Sequence, residues 1–256
     1  MSDTYASVDG LEVQLDGPVL RLTLDRPDKR NALDDAMVAG LIAAIDAAGR
    51  DEQVRCIVLA GHGDHFCGGA DIVARNAGGA GNAGGAGQSQ RPRAGSIQRR
   101  LPAQAHRLIP LVLTVQVPVV CRVQGWAAGI GFQLALAADF TVAAEDATFW
   151  EPFTERGFTP DSGATWLLPR MVGVARAREL LLLGRTLSGK EAAAWGAIHR
   201  SVPSRALAGE VDMVVASMTI TRYRDRTVDF SIPYFQDGQS LLVPADSKIA
   251  SYLDLP

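Results

Sequence analysis

The chain has 256 residues, 47% of them hydrophobic and 21% charged, enough to bury a sizeable core in one large domain or in one domain with an appendage. Its 25 Lys and Arg against 28 Asp and Glu leave a net charge of -3, so there is no basic field for nucleic acid or an anionic lipid surface, and neither partner is expected. The cysteines Cys56, Cys67 and Cys121 lie in or beside apolar runs and the first residues carry no charged-then-apolar secretion signal, which places the chain in a reducing cytoplasm.

Leu11, Val13 and Leu15, then Leu20, Leu22 and Leu24, alternate with polar residues about an Asp16-Gly17 turn, which predicts a β-hairpin. Arg26-Pro27 ends the second strand. Leu33, Met37, Leu41, Ile42 and Ile45 then recur at helical spacing and predict a helix over Asn31–Ala48. Val54–Ala60 is a short continuous apolar strand, buried on both faces. The first unit is therefore strand, strand, helix, strand.

The turn Gly61–Ile72 follows that strand, and its small residues Gly68, Gly69 and Ala70 leave free amides before a helix start expected at Asp71. His62 and His65 read as polar loop residues, since no third metal ligand stands near them. Cys67, between Phe66 and Gly68 with no base nearby in sequence, reads as a small apolar filler. From Ala74 to Gly95 the chain becomes rich in Gly and Ala, too poor in apolar surface to offset the entropy of ordering, and a mobile surface loop is expected. Gly79–Gly84 fits GxGxxG, yet no strand precedes it and no acidic residue follows at the distance a dinucleotide site requires. Helical signal returns over Ile97–Val112. It carries His106, a secondary catalytic candidate.

Val119–Asp139 is the stretch around which the rest is organised. Val119, Val120 and Val123 read as a buried strand, Gly125 breaks it, and Gly129-Ile130-Gly131 turns into an apolar helix expected over Phe132–Ala138. The amides around Ile130 would be free at that helix start, where partial positive charge favours an anion. The phosphate-loop pattern is absent, and no Lys follows Gly131. Phe140–Ala143 predicts another strand. Asp161 then follows Pro160 and precedes the apolar Trp166-Leu167-Leu168, so it either caps a helix or presents a carboxylate against an apolar pocket, where removal from water makes it a usable proton carrier. A helix over Ala175–Leu183, a capping box Ser188–Glu191 and a strand His199–Val202 follow; the pattern weakens beyond Pro203, and no elements are assigned over Arg222–Pro256.

These motifs, in this order, resemble the crotonase superfamily of enoyl-CoA hydratases and isomerases: Arg26-Pro27 with Asn31-Ala32-Leu33, Phe66–Ile72, Gly125–Gly131, Pro160–Gly163, Leu168-Pro169-Arg170, Gly173 and Ser188–Gly196. The resemblance covers about residues 10–203. It implies an α/β fold, a crotonase-like spiral of repeated ββα units (1–203, with the Gly/Ala-rich insert at about 74–96), and a divergent C-terminal oligomerisation or lid segment (204–256). It also implies an acyl-CoA substrate, no metal or redox cofactor, and a homotrimer or dimer of trimers. The substrate's thioester oxygen would accept the N–H groups of Ala70 and Ile130. The CoA-binding set implied is Arg26, Lys29, Arg30, Ala32, Gly68, Gly69, Ala70, Asp71, Ile72, Gly129, Ile130 and Phe153.

The departures from the family shape the expected chemistry. Family hydratases carry two catalytic glutamates, and Gln133 and Phe153 stand at those positions. Gln133 can orient a group but cannot take a proton, and Phe153 can do neither. Glu151 and Glu155 flank Phe153 and read as solvated surface carboxylates that serve only if the local backbone shifts. Asp161 falls where dienoyl-CoA and epoxyphenylacetyl-CoA isomerases of the family place a catalytic aspartate, so an isomerase is expected. The family's chlorobenzoyl-CoA dehalogenase also uses an aspartate there with a histidine aligned to His106, but its tryptophan corresponds to Phe153, which lacks the indole donor.

Overall fold

The computed structural model describes residues 5–71, 105–218, 228–230 and 242–244. Strands β1 (Leu11–Asp16) and β2 (Val19–Leu24) form the expected hairpin, antiparallel from Leu11 opposite Leu24 to Asp16 opposite Val19. Helix α1 (Asp35–Ala48) starts four residues after the expected Asn31. Asp34 caps it, accepting the Met37 N–H at 2.9 Å, while Asn31 is held outside the helix at φ 55. Asn31 is buried and joins separate stretches of chain: Oδ1 accepts the Arg26 N–H at 2.7 Å, and Nδ2 donates to the carbonyls of His62 and His65 at 2.9 and 2.7 Å. Strand β3 (Cys56–Gly61) runs parallel to β2 and is buried at every residue, as its unbroken apolar run requires.

Helix α2 (Ala105–Thr114) leads to β4 (Val119–Val123), β5 (Trp126–Ala128) and α3 (Ile130–Ala137). Then come β6 (Phe140–Ala144), β7 (Thr148–Trp150), α4 (Ala164–Val172) and α5 (Val174–Leu182). Strand β8 (Leu187–Ser188) feeds α6 (Gly189–Ala194) through the expected capping box, with Ser188 Oγ accepting the Glu191 N–H and the Glu191 carboxylate accepting the Ser188 N–H. Strand β9 (Arg200–Val202) and helix α7 (Leu207–Met218) follow, and β10 (Val228–Phe230) pairs antiparallel with β11 (Leu242–Pro244). The expected Asp71 helix, Ile72 and the insert at 74–96 lie outside the described residues.

The strand, strand, helix unit repeats; the first, β1-β2-α1, keeps both strands in one sheet, and the later ones divide theirs between two. The large sheet has the order β1-β2-β3-β4-β6-β9, parallel from β2 onward; the small one has the order β5-β7-β8. In β4-β5-α3 and β6-β7-α4 the first strand enters the large sheet and the second enters the small one. After β3 the chain does the same in miniature, since Cys67 forms a parallel bridge with Ala127 of β5. One apolar cluster fills the interior, with Leu41 and Ile45 of α1, Phe132 of α3, Phe149 of β7 and Leu168 of α4. Leu207, Val211 and Val215 of α7 belong to it too.

Candidate active site

The two glycine-rich turns meet at the edge of the small sheet. Cys67 N–H donates to Trp126 O and Ala128 N–H donates to Cys67 O, each at 2.9 Å, which fixes 66–70 alongside β5. On the other side Leu33 N–H donates to Gly69 O and Asp71 N–H to Leu33 O, each at 2.8 Å, forming a parallel bridge between Leu33 and Ala70. In such a bridge the neighbours of Ala70 make the bonds, and its own N–H points away from Leu33. Ile130 opens α3, so its N–H has no acceptor within the helix, and Gly129 supplies no side-chain cap. Among the described residues neither amide finds an acceptor, whereas those of Cys67, Gly68, Asp71 and Gly129 all do.

Gly131 is what lets the turns come this close. A Cβ there would lie 2.6 Å from Cys67 Cβ and 2.8 Å from Cys67 O, so no other residue fits against that backbone. Behind Ala70, Arg26 ties the platform together: it donates to Asp71 Oδ2 at 3.0 Å and to Ala32 O at 2.9 Å, and pairs with Asp34 at 3.1 Å. Arg26 and Asp71 are thus engaged with each other. Lys29 and Arg30 are exposed cations on the same turn, and Arg30 O accepts the Gly68 N–H at 2.7 Å.

Gln133 lies one turn beyond Ile130 and is fully buried, as is Glu151. Its Nε2 donates toward the two Glu151 carboxyl oxygens at 3.5 and 3.4 Å, and its Oε1 has no partner among the described residues. The expectation of a solvated Glu151 is therefore corrected. Glu151 continues the alternation of β7, where Phe149 is inside and Thr148 and Trp150 are only partly covered, so period two carries its carboxyl inward. Burial, and then the charge of Asp161, push the Glu151 carboxyl well above its ordinary value, while the Gln133 N–H partly opposes them. Glu155, four residues on, is exposed as expected. Phe153 is half-buried against the core.

Asp161 does not cap α4; that position belongs to Gly163 at φ 91, with no side-chain cap. Its carboxyl is half exposed, so the apolar surroundings expected from Trp166-Leu167-Leu168 are not those it has; Leu167 and Leu168 turn into the core and Trp166 outward. Ser162 Oγ donates to Asp161 Oδ1 at 3.1 Å, and His106 Nε2 on α2 stands 3.8 Å from Oδ2. The secondary candidate His106 and the principal candidate Asp161 are thus neighbours, 55 residues apart in sequence.

His62 and His65 have structural partners: His62 Nε2 meets Glu12 at 2.9 Å, and His65 Nδ1 accepts the Trp126 N–H at 3.3 Å. The Cys67 thiol is buried and pushed up to about 12, which leaves it unreactive, as expected of a filler. Among the described residues no group of three His, Cys, Asp or Glu side chains is placed to hold a metal ion, and no helix is long and apolar enough to cross a membrane. A cavity of about 190 Å³ lies at the other end of α3, beside Ala138 and His199, away from these groups.

A two-sheet spiral of ββα units with paired glycine-rich turns is the crotonase class of fold, and solved members superpose on it. A crystal structure of an enoyl-CoA hydratase from Mycobacterium avium subsp. paratuberculosis K-10 matches with a TM-score of 0.73 at 32% identity, over 86% of this chain and 82% of that one. The family model for enoyl-CoA hydratase/isomerase matches residues 15–223, and the chain belongs to that family. It is 40% identical over 190 residues to the 1,2-epoxyphenylacetyl-CoA isomerase of Escherichia coli K12, covering 74% of this chain and 68% of that protein. It is also 41% identical over 182 residues to a probable enoyl-CoA hydratase of Rhodobacter capsulatus, covering 71% of this chain and 64% of the relative, just under two thirds of its length. A second model, for family 3 bacterial extracellular solute-binding proteins, matches residues 200–251, less than half of the chain.

Proposed function

We propose that the protein is an acyl-CoA isomerase that moves a proton between two carbons of a thioester enolate. The observation that carries this reading is the pair of acceptor-free amides, Ala70 and Ile130, on two turns that Gly131 and the Cys67 bridge hold together. A carbon next to a thioester gives up its proton only if the charge arriving on the thioester oxygen is stabilised, and each preorganised donor contributes about 3 kcal/mol. Both N–H groups donate to that oxygen in this reading. Asp161 takes the proton from one carbon and returns it to another, and an acyl group laid over its half-exposed carboxyl takes it out of water. Gln133 orients the acyl group without exchanging a proton.

Exposed Arg30 meets the phosphates of CoA, and so does Lys29 from its 4.0 Å approach to Asp71, while Arg26 and Asp71 brace the turn, and Ala32, Gly68, Gly69, Gly129 and Phe153 line the path. Proton movement of this kind uses no metal or redox cofactor. A homotrimer in the cytoplasm completes the reading. The name of the Escherichia coli relative supports isomerisation.

The test is Asp161→Asn, assayed by conversion of a 3-enoyl-CoA into the conjugated 2-enoyl-CoA. Turnover falls by about a hundred- to ten-thousand-fold while affinity for the CoA thioester is kept. Undiminished turnover removes Asp161 from the mechanism, and affinity with no turnover in the wild type across enoyl, dienoyl and epoxy substrates identifies a non-catalytic binder instead.

Hydration is the second reading, favoured by one observation: buried Glu151 feels the charge of Asp161, so a second carboxyl lies within electrostatic reach of the first. The name of the Rhodobacter capsulatus relative agrees with it. Loss of crotonyl-CoA absorbance on adding enzyme selects hydration over isomerisation.

A further inference from the structure

Gln133 and Glu151 form a buried pair that the proton transfer itself does not use. A side-chain amide has a donor end and an acceptor end of the same shape, and turning it by half a turn about its last torsion exchanges them. With Nε2 toward Glu151, the unpartnered end is the acceptor Oε1. A carboxyl that keeps its proton reverses this preference, because its O–H needs an acceptor, and Gln133 Oε1 is the one that rotation brings to it. The charged group whose field reaches Glu151 is Asp161, and that charge favours the protonated carboxyl, as burial does. His106 Nε2 stands 3.8 Å from the Asp161 carboxylate.

We propose that Glu151 is a positioning residue: its O–H holds the Gln133 amide with Nε2 toward the acyl group, which makes the site selective for acyl-CoA thioesters that carry an acceptor oxygen on the acyl chain. An ether, epoxide or carbonyl oxygen fits that description. The inference rests on the reading that acyl groups bind beside Ile130, since Gln133 lies one turn further along α3. It adds a substrate class to that reading and gives Glu151 a task other than carrying protons. A plain hydrocarbon chain leaves a buried N–H without a partner, so it binds more weakly.

The experiment compares, by calorimetry, straight-chain alkanoyl-CoAs with analogues in which an ether oxygen replaces the methylene at the β, γ or δ position. The wild type binds at least one ether analogue about tenfold more tightly than its hydrocarbon counterpart, the gain expected of one well-placed hydrogen bond. Glu151→Gln keeps that preference, because its own N–H can hold Oε1 in the same way. Glu151→Leu and Gln133→Leu lose it, with melting curves checking that each variant is folded. The comparison is a ratio within one variant, so a general loss of stability cancels.

No preference in the wild type, or a preference that survives Glu151→Leu or Gln133→Leu, overturns the proposal. Asp161→Asn keeps the preference even though it stops turnover. If neither series binds at all, it is the acyl-CoA reading that fails; if both bind equally, only the role of Glu151 does.

Discussion

Removed from water and facing the charge of Asp161, the Glu151 carboxyl keeps its proton in the folded chain at pH values where the unfolded chain has released it. Its folded value lies above the ordinary 4.5, so the native state binds the extra proton between the two values, and stability falls as pH rises through that window. Below 4.5 both states are protonated and there is no effect. Glu151→Gln removes the titration while keeping shape and hydrogen bonding. Its melting temperature is therefore expected to track the wild type in acid and to exceed it increasingly toward neutral pH, the gap in stability growing by at most about 1.4 kcal/mol per pH unit. Parallel melting curves for the two proteins across that range would falsify the buried, proton-keeping Glu151. At the same scale, the approach of His106 to Asp161 predicts that His106→Gln changes kcat more than KM in the 3-enoyl-CoA assay, because the imidazole stands 3.8 Å from the proposed proton carrier. An effect confined to KM would instead place His106 among the substrate-binding groups.

The short elements decide where the chemistry sits, and they are the ones the sequence conceals. Long periodic segments such as α1 and continuous apolar runs such as β3 and β4 are plain in the residue pattern, and so are the glycine turns that carry Ala70 and Ile130. Strands β5 and β7 have three residues each, too few to establish a period of two, and with β7 unrecognised, Glu151 reads as a surface residue. Asp161 is legible from its place between Pro160 and an apolar run, as cap or carboxylate, and the resemblance to family isomerases is what favours the second; its neighbour His106 is reached by a fold-level contact between α2 and the turn before α4. At the first turn of α3 the sequence signal and the structure agree, and the consequence is testable. Gly131→Ala forces a Cβ within 2.8 Å of a backbone oxygen that cannot step aside, which is expected to cost about 1–3 kcal/mol of stability and to move the Ile130 amide away from Ala70. Turnover then falls further than the loss of folded protein accounts for, as shown by activity measured well below the melting temperature. Wild-type turnover in a folded Gly131→Ala protein would mean that the two amides need not converge.

Across the whole molecule, the division of the later ββα repeats between two sheets explains why the candidate site lies where it does. The small sheet is three strands wide, and its edge is completed by the 66–70 segment, so the turns after β3 and after β5 are neighbours by topology. Most of the apolar surface this architecture gathers is inward, but not all of it. Val174, Leu182 and Leu183 are exposed along and just beyond α5, with Trp166 on the adjoining α4, and Leu183 is 76% open. Single exposed apolar residues are ordinary on a monomer, whereas a set on two consecutive helices makes a candidate for a contact surface. The homotrimer expected from the resemblance would bury such a face, and light scattering at micromolar concentration should then return three times the 27.2 kDa chain mass. Charged substitutions on this face, Val174→Asp with Leu183→Asp, shift that mass toward the single chain while leaving the far-ultraviolet circular dichroism unchanged, since neither side chain is part of the core. A wild-type mass of one chain removes the trimer, and a trimer that persists in the double variant places its contacts elsewhere on the surface.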